Sequence, residues 1–298
     1  MTDERFQSLP REYLLPEPPK RRLPRFREPS MLPGFKLSLG ITLFYLCLIV
    51  IIPLTALALR PWENGLQGVI HTLTEQRVAT ALRLSFGLSF LAALTNAPLG
   101  LLVAWTLTRY EFPGRRILDA LVDLPFALPT AVAGIALTAI YAPNGPIGSL
   151  FAKIGIKTAY SPLGIFIALL FIGLPFVVRA IQPVLQEMDR EVEEAAQTLG
   201  ATDLQRAAFV VLPTVAPALL SGVSLAFARA VGEYGSVVFI AGNMPFKTEI
   251  APLLIVIKLE EYDYAGAAAV GMAMLVISFA ILVAFNIAQG IIVRRGRR

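Results

Sequence analysis

The chain has 298 residues, 56% of them hydrophobic and 16% charged, with a formal net charge of +5 and a mean hydropathy of +0.66. Soluble domains carry about 25% charged residues, so this composition excludes an ordinary water-soluble enzyme and points to a polytopic membrane protein, whose basic surplus belongs to its loops rather than to nucleic acid binding. A single cysteine, Cys47, and a single histidine, His71, leave no disulfide framework and no Cys- or His-based metal site, so no metal is expected.

Residues 1–36 hold seven prolines, eight Lys/Arg and five acids. This arm has no apolar core of its own, no signal-peptide h-region and too many acids for a transit peptide; it reads as a disordered basic, proline-rich arm. From there, long uncharged runs follow one another. There are 23 such residues between Lys36 and Arg60, 25 between Arg83 and Arg109, and 21 between Lys157 and Arg179. About 20 apolar residues cross the hydrocarbon. The pattern predicts an all-α membrane domain over 37–293 with six transmembrane helices, at about 37–59, 84–107, 124–142, 160–178, 214–240 and 267–290. Pro53, Pro98, Pro129 and Pro175 fall inside these spans and predict kinks. A basic tail, 294–298, closes the chain.

Orientation follows from Lys/Arg placement. The arm, the 109–123 loop, the 179–213 loop and the tail together carry 18, against 8 in the alternate set. The positive-inside rule places both termini and the 180–213 loop in the cytoplasm. The segment 247–264 falls on the outer side, and its apolar stretch IAPLLIVI is too short to span.

The 180–213 loop interrupts an oily chain with five acids within eight residues, from Glu187 to Glu194. Gln186 to Leu199 has good helix formers and no Gly or Pro. Gly200 stands where a left-handed residue ends a helix, and Thr202 with Gln205 makes a capping-box pattern for a second. Two short helices at an angle are predicted. Small side chains at Ala195 and Ala196 beside carboxylates suit close approach by a basic partner surface; a solvated helical hairpin is the plainer reading.

Arg229 and Glu233 lie inside the fifth predicted span, four residues apart and so on one helix face. A charge at membrane depth costs about 2.5–3.5 kcal/mol on insertion scales, so the pair is not expected to face lipid. It reads either as a self-neutralising structural pair or as a source of positive potential for an anion path. Its order is the less favoured one for an i,i+4 pair, so partners on other helices are expected. Asp123 reads as an interfacial or helix-capping acid. Pro129 and Thr130, in PFALPTAVAG, start the third span irregularly, and irregular backbone at membrane depth lines cavities.

The spacing Glu194-Ala195-Ala196, Gly200, Val210, Leu212-Pro213 resembles the EAA loop of permease subunits of bacterial ABC importers. The pattern there is E-A-A, three residues, G, nine residues, I-x-L-P; Val210 replaces the isoleucine. Beyond the loop, VLPTVAPALLSGVSLAFARAVGEYGSVVFIAGNMPFKTEI, DALVDLPFALPTAVAGIAL and MLPGFKLSLG are similar to sulfate/thiosulfate permease subunits of the CysT (CysU) type, from about Met31 to the end. Molybdate permeases are similar over 222–243 and stand as the alternative. The resemblance implies a type I ABC importer permease fold in the bacterial inner membrane. It implies ATPase coupling through Glu194, Ala195, Ala196, Gly200, Val210, Leu212 and Pro213, with Arg229, Glu233, Pro129 and Thr130 along the translocation path. The partners it implies are an ATPase subunit in two copies, a homologous second permease subunit and a periplasmic sulfate-binding protein. ATP and Mg would be bound by the ATPase, and no cofactor by this chain. In keeping with that, the sequence holds no G-x4-G-K-[ST] loop and no Gly-Lys dipeptide. An intramembrane enzyme would need ionisable clusters within the spans, which one pair does not supply, and a scaffold or channel would leave the acidic loop without a driver.

Overall fold

The computed structural model describes residues 35–296. Positions 1–34 of the predicted arm and the last two residues of the predicted tail lie outside the described residues. The chain divides between Pro53 and Leu54 into two compact units.

In the first unit, α1 (Phe35–Leu46) runs into a π-helical turn, Cys47–Ile51. Proline lacks an N–H and its ring displaces the carbonyl four residues earlier, so the wider turn ahead of Pro53 is how the predicted kink is realised. Helix α2 (Ile52–Leu59) carries the chain into the second unit.

The second unit continues through a 3-10 turn, Arg60–Asn64, into α3 (Gly65–Thr74) and the long α4 (Gln76–Arg109). Then come α5 (Arg115–Val122), α6 (Leu124–Ala127), α7 (Thr130–Tyr141), α8 (Gly148–Lys153) and α9 (Pro162–Glu187). A polar hairpin, α10 (Arg190–Thr198) and α11 (Asp203–Arg206), precedes α12 (Leu212–Val231), α13 (Val237–Ala241), α14 (Ala251–Glu260) and α15 (Tyr264–Gly296). No strand occurs among the described residues.

Helices α4, α9 and α12 pack on one another at the centre, α15 and α14 lie beside them, and α13 packs on α7 and α9. Small residues let the central three approach. A Cβ on Gly100 would meet Val177 Cβ at 2.8 Å, and one on Gly222 would meet Val177 Cα at 2.9 Å. Such contacts, rather than apolar burial against lipid, hold membrane helices together. Phe227 is fully buried, with the rings of Phe86 and Phe90 at 6.4 Å and that of Phe285 at 5.9 Å, inside the range of favourable edge and offset contacts.

Among the described residues, five stretches are long and apolar enough to cross a membrane: Leu37–Glu63, Gln76–Arg109, Pro162–Glu187, Asp203–Val231 and Tyr264–Ile292. The sixth predicted span, 124–142, is not among them and holds a shorter apolar helix. Its apolar helix α7 has 12 residues, about 18 Å, and is separated from α6 by the extended residues Leu128 and Pro129. The fifth span also differs from 214–240. Its helix ends at Val231, and a non-helical stretch leads to the five-residue α13. Gly232 and Gly235 flank this interruption, and backbone freedom at such positions weakens a helix by about 1 kcal/mol per glycine. The loop helix predicted over 186–199 is likewise two helices, because α9 stops at Glu187 and Met188 and Asp189 are extended.

Candidate functional site

The broken elements meet. Gly134, one turn into α7, lies against the backbone of the buried Ser236: an added Cβ would stand 2.7 Å from its Cα and 2.9 Å from its carbonyl carbon. Gly235 presses in the same way on the Thr130 hydroxyl. Thr130 and its helix cap Pro129 are thereby brought beside the 232–236 interruption, which carries Glu233. Four residues predicted along a path from two separate spans thus converge.

Depth can be read from packing. Gly173, near the middle of α9, faces Asn96 Nδ2 and the Cβ of Ala226. Arg229 lies three residues beyond Ala226, about 4.5 Å along the axis, and its side chain reaches on to Glu233, which lies with Ser85, Ile165 and Ile250 toward the N-terminal ends of α4 and α9. Arg229 Nη1 contacts Glu233 Oε2 at 2.6 Å; the glutamate side chain is 2% exposed, the arginine 37%. Glu233 Oε1 accepts from the Ser236 N–H at 3.0 Å and from its hydroxyl at 3.1 Å. The partners expected from other helices are not found among the described contacts. The helix ends at Val231, so Glu233 can turn back onto Arg229 without competing with a continuing helix. The carboxylate is enclosed and held, while the arginine presents its outer face to whatever lies alongside.

The polar hairpin has the predicted corner. Gly200 is left-handed, with φ +86°, a conformation that costs other L-residues about 1 kcal/mol or more. Its N–H donates to Gln197 O at 2.9 Å, and Ala201 N–H to Ala196 O at 3.0 Å. The capping box is complete: Gln205 N–H donates to Thr202 Oγ1, and Thr202 N–H to Gln205 Oε1. Arg206 ties the two helices, donating to Gln197 Oε1 at 3.2 Å and pairing with Asp203. Glu194 and Ala195 are exposed and Ala196 half-buried. Val210 lies in a π-helical turn, Ala207–Val211, that feeds Leu212 and Pro213 at the start of α12.

Two features escaped sequence reasoning. Leu199 and Leu204 on the hairpin and Phe209 in the turn that follows it are 89%, 78% and 77% exposed, apolar side chains that water does not favour. The hairpin is also anchored. Arg109, at the end of α4, contacts Glu193 Oε1 at 2.5 Å with side chains 10% and 14% exposed, donates to Met188 O at 3.4 Å and lies 5.6 Å from the centre of the Trp105 ring. A signal was present in the acids around Glu194, but pairing across 84 residues is not a pattern that local spacing reveals.

Asp123 stands at the N-cap position of α6, but its side chain makes no capping bond there. It and Asp119 receive Arg179 of α9: Arg179 Nε donates to Asp123 Oδ1 at 2.8 Å and Nη1 to Asp119 Oδ1 at 2.7 Å. The Gln182 amide, donating at 3.0 Å, and then the Arg179 guanidinium hold the Asp119 carboxyl below its ordinary value of 3.8, against the upward pull of desolvation. A lowered carboxylate contributes stability above its unfolded pKa and loses it as pH falls through the folded value, so this network is intact throughout neutral pH.

Broken helices thus surround an enclosed ion pair, with a small helical hairpin at the end of the bundle. A family model described as the inner membrane component of binding-protein-dependent transport systems matches residues 96–298, and the chain belongs to that family. It is 48% identical over 268 residues to the sulfate transport system permease protein CysT of Salmonella typhimurium, covering 90% of this chain and 96% of that protein. It is 47% identical over 268 residues to the protein of the same name from Escherichia coli, with the same coverage. Among solved structures, a bacterial ABC transporter involved in import of the acidic polysaccharide alginate superposes with a TM-score of 0.72 at 16% identity, over 86% of this chain and 94% of that one. That likeness is one of fold.

Proposed function

We propose that this chain is the permease subunit of an ATP-driven importer that moves sulfate, and thiosulfate with it, into the cytoplasm. The observation that carries this reading is the anchored hairpin. Its corner, capping box and exposed apolar side chains supply a docking surface, and Glu193–Arg109 ties it to a membrane span. On this reading an ATPase subunit, in two copies, takes Leu199, Leu204 and Phe209 into a groove beside Glu194. ATP and Mg are bound there and not by this chain. A homologous second permease chain covers the exposed side of Arg229, and a periplasmic sulfate-binding protein delivers the anion to the face opposite the hairpin. The termini and hairpin are then cytoplasmic, as the Lys/Arg distribution supports, and the membrane is the bacterial inner membrane.

The mechanism follows from rigidity. Closure of the ATPase pair displaces the hairpin. Because Arg109 and Leu212–Pro213 connect the hairpin to α4 and α12, both spans move with it as packed bodies. The junction where α7 meets the 232–236 interruption is where such motion can open a path, since no continuous helix resists there. Arg229, paired with Glu233 on one side and partly exposed on the other, presents N–H donors to a dianion without holding it as a free buried charge would.

Glu194→Lys and Gly200→Pro are expected to abolish co-purification of the ATPase while leaving the chain in the membrane. The first places a cation on the docking face; the second puts at φ +86° a residue fixed near −65°. If both variants retain the ATPase and stimulate its turnover normally, the hairpin is not the coupling element.

A further inference from the structure

Beside the hairpin's root, α5 and the end of α9 enclose a polar cleft of about 270 Å³, lined by Arg115, Arg116, Asp119, Arg179, Gln182 and Gln186. Its charges are unevenly satisfied. Arg179 is committed, with Nε, Nη1 and Nη2 all donating to Asp119, Asp123 and Gln182. Asp119 is thereby spent on Arg179 and Gln182. Arg115 and Arg116 have no ion pair within contact distance among the described residues, although Arg115 acts through space on the Asp119 carboxyl and Glu111 lines a neighbouring groove with both arginines. They open α5, which has no acid in its first turn, so two guanidiniums stand at the end of a helix that ordinarily attracts anions. The Gln186 side chain is exposed beside them.

We propose that this cleft binds a tetrahedral oxyanion. Arg115 and Arg116 would contact it with charge-assisted hydrogen bonds, Gln186 would add a neutral donor, and the Arg179–Asp119–Gln182 network would hold the wall without donating to the ligand. Asp119 facing the same space makes the site weak, which suits a ligand that must leave. Two sources offer this chemistry: a sulfate ion released toward the hairpin side, which rests on the proposed function, and the phosphate of an anionic lipid at the membrane surface. Two arginines suit either.

The test uses the full chain in phosphatidylcholine nanodiscs. Its thermal midpoint is followed with sodium sulfate against sodium chloride at matched ionic strength, then in nanodiscs containing phosphatidylglycerol without sulfate. A rise specific to sulfate assigns the free anion; a rise only with phosphatidylglycerol assigns the lipid. In either case R115Q/R116Q is expected to weaken the response about tenfold or more in concentration. If the double variant does not fold, R116Q alone, at an exposed position, carries the same comparison. Wild type and variant behaving alike in both arms, or no response in either, overturns the proposal. Uptake is not measured, so failure of sulfate import in cells would sink the transport reading and leave this result standing.

Discussion

Replacing Arg109 by glutamine is expected to lower sulfate taken up per ATP hydrolysed about tenfold while the chain remains in the membrane. Arg109 and Glu193 are 10% and 14% exposed, and removing one member of such a pair leaves the other enclosed without a counter-charge, a loss of ~3 kcal/mol. What is lost is the strut between hairpin and α4, so ATPase movement would turn the hairpin without moving the span. Glu193→Gln should have a similar effect. The double variant R109Q/E193Q should recover part of the loss, because no stranded charge remains. Coupled transport in both single variants at the wild-type ratio, or losses in the double variant equal to the two single losses added, would show that the pair carries no motion.

Gly134→Val is expected to stop uptake altogether. A Cβ there would press on the backbone of Ser236, with Cα at 2.7 Å and the carbonyl carbon at 2.9 Å, and Ser236 is fully buried. Backbone atoms cannot rotate away as a flexible side chain can, so α7 and the 232–236 stretch must separate, at about 3 kcal/mol or more. The hairpin is remote from this contact, so the ATPase should still co-purify. Gly87→Ala is the control: nothing lies within 4 Å of its added Cβ, and uptake should be unchanged. Normal uptake by Gly134→Val would mean that the α7 contact is absent from the transporting conformations.

The sequence located these parts unequally. Charge spacing found the long helices because a run such as 84–108 has a physical cause: charges are excluded from hydrocarbon. The hairpin corner was legible because Gly200 and the Thr202–Gln205 box act locally. Helix continuity was not, since hydropathy is blind to it. Apart from Arg229 and Glu233, residues 214–240 carry no charge, yet the helix stops at Val231, shortly before Gly235 packs against Thr130. The ion pairs Arg109–Glu193 and Arg179–Asp123 join positions 84 and 56 residues apart, and only the tertiary placement of α4 and α5 against α9 and α10 brings them together. Arg229 and Glu233 were expected to seek other helices. The early helix end lets them satisfy each other instead.

The most direct test of sulfate import is ATP-dependent accumulation of radiolabelled sulfate in cells whose only sulfate permease contains this chain, comparing wild type with Arg229→Gln. Arg229 contacts Glu233 at 2.6 Å yet its side chain stays 37% exposed, so the substitution removes the cation offered to the anion, leaves the enclosed Glu233 without its counter-charge and leaves the hairpin untouched. Accumulation driven by ATP in the wild type, reduced about tenfold in the variant with its ATPase still bound, is the predicted result. No ATP-dependent accumulation, or a variant with unchanged rate and unchanged preference for sulfate over molybdate, would contradict it.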